Sequence, residues 1–411
     1  MNIGFVGAGG FAKGFVPLFK LHPLVDKVYI TDLIPERREE YAAKFDIRTF
    51  ESFDVMLESD IDSVAIFTQR HLHGPLAIKA LKSGKHVYSA VPMANEICEI
   101  QEIVDLAARK NLIYMTGETA YYYPGAIFCR AEMKKGSFGD FVYAEAQYYH
   151  DMNHGFYDVY KRSGSENWKK VAGIPPMYYP THSIGALVSA TGAHVIKTSC
   201  FGFRDTSGDG VFGEGMNYWD NPFSNETALL YMSNGGVCRA NEFRRIGIKK
   251  STSYISCFYG TRASYEEAFT EHVFMEADET GKKIKFRGIS GLLNSRVLEE
   301  HRGDPDFMER VANGEYDHRS SSPIMNTGRL PAEFKPEMSG HRGVPKFLVD
   351  DFVKAVNCNK LPPNNAWDSA RYNIPGLIAH ESVVKGGALI DVPDLGDPPE
   401  GWDMLDPDSG I

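Results

Sequence analysis

A chain of 411 residues, 43% apolar and 24% charged, has the composition of a globular protein and is too long for one ordinary compact domain, so two are expected. Its 54 acidic and 44 basic residues leave a formal charge of −10, which argues against the concentrated basic surface of a nucleic-acid binder. No apolar run of about 18 residues and no charged leader segment is read, so neither a membrane span nor a signal peptide is expected. Six scattered cysteines without a C-x-x-C pair point to a reduced, cytoplasmic protein, with no disulfide framework and no metal site.

The first 120 residues alternate strand and helix patterns. An apolar strand at 3–6 leads into a helical stretch at 11–20. The strand at 27–31 is followed by a charged helix opened by Pro35. Strands at 63–67, 86–88 and 112–115 alternate with helices at 71–83, closed by Gly84, and 94–109. Repeated units of this length predict a doubly wound parallel sheet, an α/β Rossmann domain over 1–120.

Beyond Gly117 the pattern changes. Residues 141–149 form a strand, and 227–232 and 237–243 flank the turn Ser233-Asn234-Gly235-Gly236. Further pairs, 254–259 with 263–268 and 272–276 with 282–286, flank Gly260 and Gly281. These hairpins predict an α+β second domain over 121–345 with an open, mainly antiparallel sheet. Residues 301–340 read as a long irregular segment. Helices at 345–356 and 367–385 and an acidic, proline-rich tail from 391 make a third stretch, 346–411, packing back on the protein.

The first strand runs into Gly7-Ala8-Gly9-Gly10-Phe11-Ala12, a G-x-G-x-x-A sequence. Gly7 permits the tight turn, Gly9 leaves room for a pyrophosphate, and small Ala12 lets helix and strand pack closely. The following helix N-terminus would meet the phosphates with unpaired N–H groups. Asp32 ends the second strand, where a carboxylate binds ribose hydroxyls and repels a 2′-phosphate. The expected cofactor is therefore NAD; Arg37 and Arg38 keep NADP open as the less favoured alternative.

Two further segments carry a resemblance. Thr68-Gln69-Arg70-His71-Leu72-His73 follows the fourth strand, and Gly84-Lys85-His86-Val87-Tyr88-Ser89-Ala90-Val91-Pro92 spans the fifth. With the glycine motif they resemble the Gfo/Idh/MocA family of oxidoreductases over nearly the whole chain. The resemblance implies NAD(P) on the first domain, with Thr68, His73 and Pro92 joining Gly7, Gly9, Gly10, Phe11, Ala12 and Asp32 in the cofactor site. It implies a sugar or polyol on the second domain and a homo-oligomer, dimer or tetramer, built through that sheet. The family's proton-transferring lysine is missing: Ala90 and Val91 stand where Glu-Lys precede the proline.

Tyr178-Tyr179-Pro180-Thr181-His182-Ser183-Ile184-Gly185 is similar to the tyrosine–histidine motif of the NAD-dependent α-N-acetylgalactosaminidase-type glycosidases, which also lack the lysine. This resemblance makes Tyr179 and His182 the acid/base pair and adds Glu118 after the sixth strand. A tyrosine starts from a pKa of about 10, and adjacent positive charge favours its phenolate; a histidine near 6.5 serves directly. Three functions follow. One is an NAD-dependent sugar or polyol oxidoreductase, with Tyr179 and His182 replacing the lysine. Another is a glycoside hydrolase or lyase that oxidises carbon 3 transiently, eliminates, and recycles NAD. The last is a non-catalytic NAD-binding sensor.

Residues 121–180 hold ten of the 21 tyrosines. A tyrosine ring suits the C–H face of a sugar and its hydroxyl the polar edge. Tyr121, His154 and Tyr160 are the substrate candidates here, and His341, in Gly340-His341-Arg342-Gly343, matches a histidine that faces substrate in the glycosidase-like relatives. His150, Asp151 and His154 lack the spacing of a metal centre. Glu242 and Arg244 share a strand face, as an ion pair or an anionic-substrate contact. Asn326, Arg329 and His318 are weaker candidates in the irregular segment.

Overall fold

The structure is a computed structural model that describes residues 1–247, 254–268, 270–312, 320–335 and 339–406. The chain forms two units. One comprises 1–119, 326–370 and 395–411; the other comprises 120–325 and 371–394. Residues 326–345, read as part of the second domain, group with the first unit. The stretch 346–411, read as one segment, divides between the two.

The first unit holds β1 (Asn2–Val6), β2 (Lys27–Thr31), β3 (Arg48–Thr49), β4 (Ser63–Ile66), β5 (His86–Ser89) and β6 (Tyr114–Thr116). All pairings are parallel, in the order β3-β2-β1-β4-β5-β6. The central strands are buried along nearly their whole length, as parallel strands covered on both faces must be. Chain order reverses between β1 and β4, which puts the ligand crevice at their carboxyl ends. Residues 11–20 do not form one helix. A 3-10 turn, Ala12–Gly14, precedes the helix Val16–Leu21. Pro17 has no N–H to bond the Lys13 carbonyl, so a regular helix cannot extend back through it.

An aromatic core of Phe5, Phe19, Phe67, Tyr88 and Phe352 joins the sheet to the late helix Val344–Cys358. That helix is also tied by charge. The buried Asp350 carboxylate lies 3.3 Å from His22 Nε2 and accepts from Arg329 Nη1 and Lys354 Nζ, each at 2.8 Å. Sequence proximity could not reveal this attachment, which joins residues 328 positions apart.

The second unit is a nine-stranded sheet. Its strands are β7 (Phe141–Tyr149), β8 (Val195–Arg204), β9 (Phe223–Met232), β10 (Val237–Phe243), β11 (Tyr254–Gly260), β12 (Ala263–Ala268), β13 (Glu271–Ala277), β14 (Ile284–Gly288) and β15 (Ile390–Asp391). The order is β14-β13-β12-β11-β7-β10-β9-β8-β15, antiparallel except for the β7–β10 pair. β8 and the start of β9 were not read from the sequence. The segment 301–340 includes the helix Pro305–Ala312 and short turns, while His318 lies outside the described residues. Register sets one row that matters below: Glu226 lies opposite Glu242, Glu242 beside Tyr148, and Tyr148 opposite Tyr254. Among the described residues no helix is long and apolar enough to cross a membrane.

Candidate active site

The glycine loop has the shape its sequence demands. Gly7 sits at φ +102°, and an added Cβ would stand 2.5 Å from the Phe67 carbonyl oxygen. At Gly9 the nearest atom to an added Cβ is 3.9 Å away, leaving the approach a pyrophosphate needs. The Tyr41 hydroxyl donates to the Gly9 carbonyl and anchors the loop. Ala12 is fully buried, while Phe11 is exposed beside the loop. Asp32 accepts the Ala8 N–H at 2.7 Å and the Ile34 N–H at 2.9 Å. Each carboxylate oxygen keeps a further lone pair for a ribose hydroxyl. Arg38 is engaged by the carbonyls of Asp32 and Glu51. These residues fit NAD, which when bound supplies a reversible hydride acceptor. Asp32→Ala is expected to weaken NAD binding by about 1–3 kcal/mol and to narrow its margin over NADP; calorimetric titration with both cofactors checks this.

His73 is completely enclosed and spans two loops at the carboxyl edge of the sheet. Its Nδ1 donates to the Pro92 carbonyl at 2.8 Å, and its Nε2 is 3.3 Å from the Thr68 carbonyl. The ring thus shapes the crevice by joining Thr68 to Pro92. Burial, more than any neighbour, lowers its pKa to about 4. Between that value and about 6.5 the unfolded chain binds a proton that the native ring refuses. Stability from this group is therefore full above pH ~6.5 and lost as pH falls towards 4, by about 3 kcal/mol. Urea denaturation against pH should show a shallower slope in His73→Asn than in the wild type. Val91, at the lysine position, is a buried apolar side chain.

Glu118 is fully buried at the end of β6. Its carbonyl accepts from Asn364 Nδ2 at 3.0 Å, and the Asn364 carbonyl accepts the Thr116 N–H. The neighbouring Gly117 admits no side chain, because a Cβ there would overlap the Tyr88 hydroxyl. His341 stands edge-on to Phe11, ring centroids 6.1 Å apart. The first unit thus puts His341 next to the nucleotide loop, a contact across 330 residues of sequence.

In the second unit the turn Pro176–Tyr178 delivers Tyr179 to the start of the helix Thr181–Thr191. Tyr179 is half-buried and His182 buried, their rings edge to face at 5.2 Å. Tyr148 packs on both, at 5.9 Å and 4.6 Å, and Tyr254 lies 5.4 Å from His182. The turn is seated on a buried carboxylate. Glu226 Oε2 accepts the Met177 N–H at 2.7 Å, and Oε1 pairs with His380 Nδ1 at 2.6 Å. A side chain at Gly376 would overlap the Met177 carbonyl, so the helix Ala366–Val384 presents a flat seat here. Helix spacing predicts that Tyr179 and His182 share a face; Glu226 and His380 give no local signal, being 154 residues apart.

The remaining candidates separate. Tyr160 is 3% exposed within an apolar cluster with Met152, Phe156 and Val171, which makes it a core residue rather than a sugar platform. The Tyr121 ring carries the Arg130 guanidinium at 3.9 Å. His154 falls in the turn Met152–His154, and its side chain lies outside the described residues. His150 Nδ1 bonds the Tyr148 hydroxyl, and Asp151 accepts the N–H groups of Asn153 and Ile246. Among the described residues no three His, Cys, Asp or Glu side chains form a metal cluster. Glu242 and Arg244 form a buried ion pair at 3.0 Å, so Arg244 is not an open anion contact.

Residues 1–118 match the model of the oxidoreductase family with an NAD-binding Rossmann fold, the Gfo/Idh/MocA family. A glycosyl hydrolase family 109 protein from Shewanella putrefaciens is 31% identical over 354 residues, covering 83% of this chain and 71% of that one. Another from Shewanella pealeana is 28% identical over 417 residues, covering 96% and 85%. Among solved structures, levoglucosan dehydrogenase in complex with NADH and levoglucosan superposes with a TM-score of 0.70 at 18% identity, covering 96% of this chain and all of that one. With its glycine loop, Asp32 and these relatives, the chain is an NAD-binding protein that belongs to the Gfo/Idh/MocA oxidoreductase family, among the glycosyl hydrolase family 109 proteins.

Proposed function

We propose that this protein is an NAD-dependent glycosidase in which Tyr179 and His182 carry the proton chemistry. The observation behind the proposal is a substitution with a replacement: Val91 stands where dehydrogenases of the family carry lysine, and a tyrosine and a histidine lie ring to ring in the second unit. The printed names of the family 109 relatives support the same reading. The Tyr179 phenol oxygen holds and moves the proton on the sugar carbon beside the oxidised position, and His182 is the partner acid at the leaving group. Glu118 is the third catalytic candidate. Tyr121, His154 and His341 remain the substrate candidates, and the cofactor set remains as read from the sequence.

The test is incubation with a panel of nitrophenyl glycosides in deuterium oxide. Cleavage without net change in reduced-cofactor absorbance, and deuterium at carbon 2 of the product, is the expected result. Retention of the original hydrogen overturns the elimination route. The fold shared with levoglucosan dehydrogenase supports a second reading, net oxidation of a sugar or polyol; accumulation of reduced cofactor would favour it. No reaction with any sugar would favour the sensor.

A homo-oligomer is part of the proposal. Phe201, Phe203, Leu229, Tyr231 and Val237 expose apolar side chains on the second unit's sheet, a surface suited to a second copy.

A further inference from the structure

We infer that Arg244 is a positioning residue that acts through Tyr179: its guanidinium, held against the tyrosine rings by the buried Glu242 carboxylate, biases Tyr179 towards phenolate. The inference rests on the reading of Tyr179 as the acid/base group. Arg244 is 4% exposed, with its guanidinium carbon 5.8 Å from the Tyr179 ring centre, 5.1 Å from that of Tyr148 and 5.6 Å from that of Phe156. Nη2 donates to Glu242 Oε2 at 3.0 Å and Nη1 to the Phe243 carbonyl at 3.1 Å. The other Glu242 oxygen accepts from Ser183 Oγ at 2.6 Å, in the first turn of the helix Thr181–Thr191. The pair is thus an oriented dipole. Its positive end faces the rings, and its negative end faces a helix N-terminus, where a carboxylate is favoured.

The surrounding groups single out Tyr179 among the clustered tyrosines. From β7, Tyr148 commits its hydroxyl to His150 Nδ1 at 2.6 Å. From β11, Tyr254 is pushed well above the usual tyrosine range by burial and by the hydroxyls of Tyr123, Tyr148 and Tyr179, so it stays an O–H donor. His182 lies on the helix that follows Tyr179. Glu226, opposite Glu242, is engaged by His380 and the Met177 N–H. Among the described residues Arg244 is a cation placed against the Tyr179 ring, and its Glu242 partner offsets part of its field. The remainder of that field favours the phenolate over the phenol.

The experiment is a tyrosinate titration of the NAD-loaded protein by ultraviolet absorbance, with Tyr179→Phe as the subtraction blank. Arg244→Met should raise the Tyr179 midpoint, and Arg244→Lys should raise it by less. Glu242→Gln, which leaves the cation uncompensated, should lower it. Opposite signs from adjacent residues cannot come from general loosening of the fold. Shifts in the same direction, or none in folded protein, overturn the proposal. If Arg244→Met does not fold, Glu242→Gln decides alone, and a raised or unmoved midpoint overturns it. A midpoint that shifts while the pH profile of turnover stays fixed would support Arg244's action on Tyr179 and overturn the reading of Tyr179 as the acid/base group.

Discussion

Tyr179→Phe is expected to lower turnover by ~10²–10⁴-fold, the usual contribution of a general acid or base, while leaving NAD affinity unchanged. Substrate turnover and calorimetric cofactor titration together check this. The two readouts separate because the hydroxyl belongs to the second unit, whereas Gly7, Gly9 and Asp32 belong to the first. The ring itself contributes packing against Tyr148 and His182, and phenylalanine preserves it. Val91→Lys should not restore turnover in that variant, because Val91 is buried and an ammonium group there would have to leave or enter uncharged. Near-wild-type turnover in Tyr179→Phe would remove Tyr179 from the chemistry and leave His182 as the base.

Glu226→Ala should cost about 2–5 kcal/mol of stability, because it leaves two buried polar partners unpaired at about 1–3 kcal/mol each. The carboxylate is fully buried and His380 nearly so, so solvent cannot replace what is lost. The variant would leave the Met177 N–H without its acceptor and His380 Nδ1 without its carboxylate partner. Glu226→Gln keeps an oxygen for the Met177 N–H and should lose less. Chemical denaturation followed by tyrosine fluorescence measures both; a loss below about 1 kcal/mol in the alanine variant would show that the seat under the Tyr179 turn is not held by this pair. The carboxyl group stands opposite Glu242 across β9 and β10, and two such groups side by side in a buried sheet each need their own partners. Here Arg244 pairs with Glu242, and Glu226 bonds His380 Nδ1 and the Met177 N–H.

Local rules made part of this molecule readable. The glycine motif, Asp32 at the end of a strand, and the alternation of buried strands with helices concern residues close in sequence, whose conformations are set by φ/ψ limits, hydrogen-bond patterns and side-chain period. They led directly to the Rossmann unit and to NAD. The hairpin turns between β9 and β10, β11 and β12, and β13 and β14 were legible for the same reason. The helix misread over 11–20 failed by the same physics, since Pro17 outweighed the apolar pattern around it. Two-residue β3 and ten-residue β8 went unread, the first too short to show a period and the second without a turn signal beside it.

The sequence by itself determined the cofactor loop, the absence of the family lysine, and the tyrosine and histidine proposed to take its place. Only the tertiary structure decided what holds them. Asp350 ties the late helix to His22, Asn364 reaches the Glu118 carbonyl, His380 through Glu226 holds the turn before Tyr179, and Arg244 with Glu242 lies against the Tyr179 ring. Each of the first three contacts, and that of Arg244 with Tyr179, joins residues far apart in the chain through burial, hydrogen bonding and charge, which depend on where strands and helices come to rest in space rather than on neighbours in sequence.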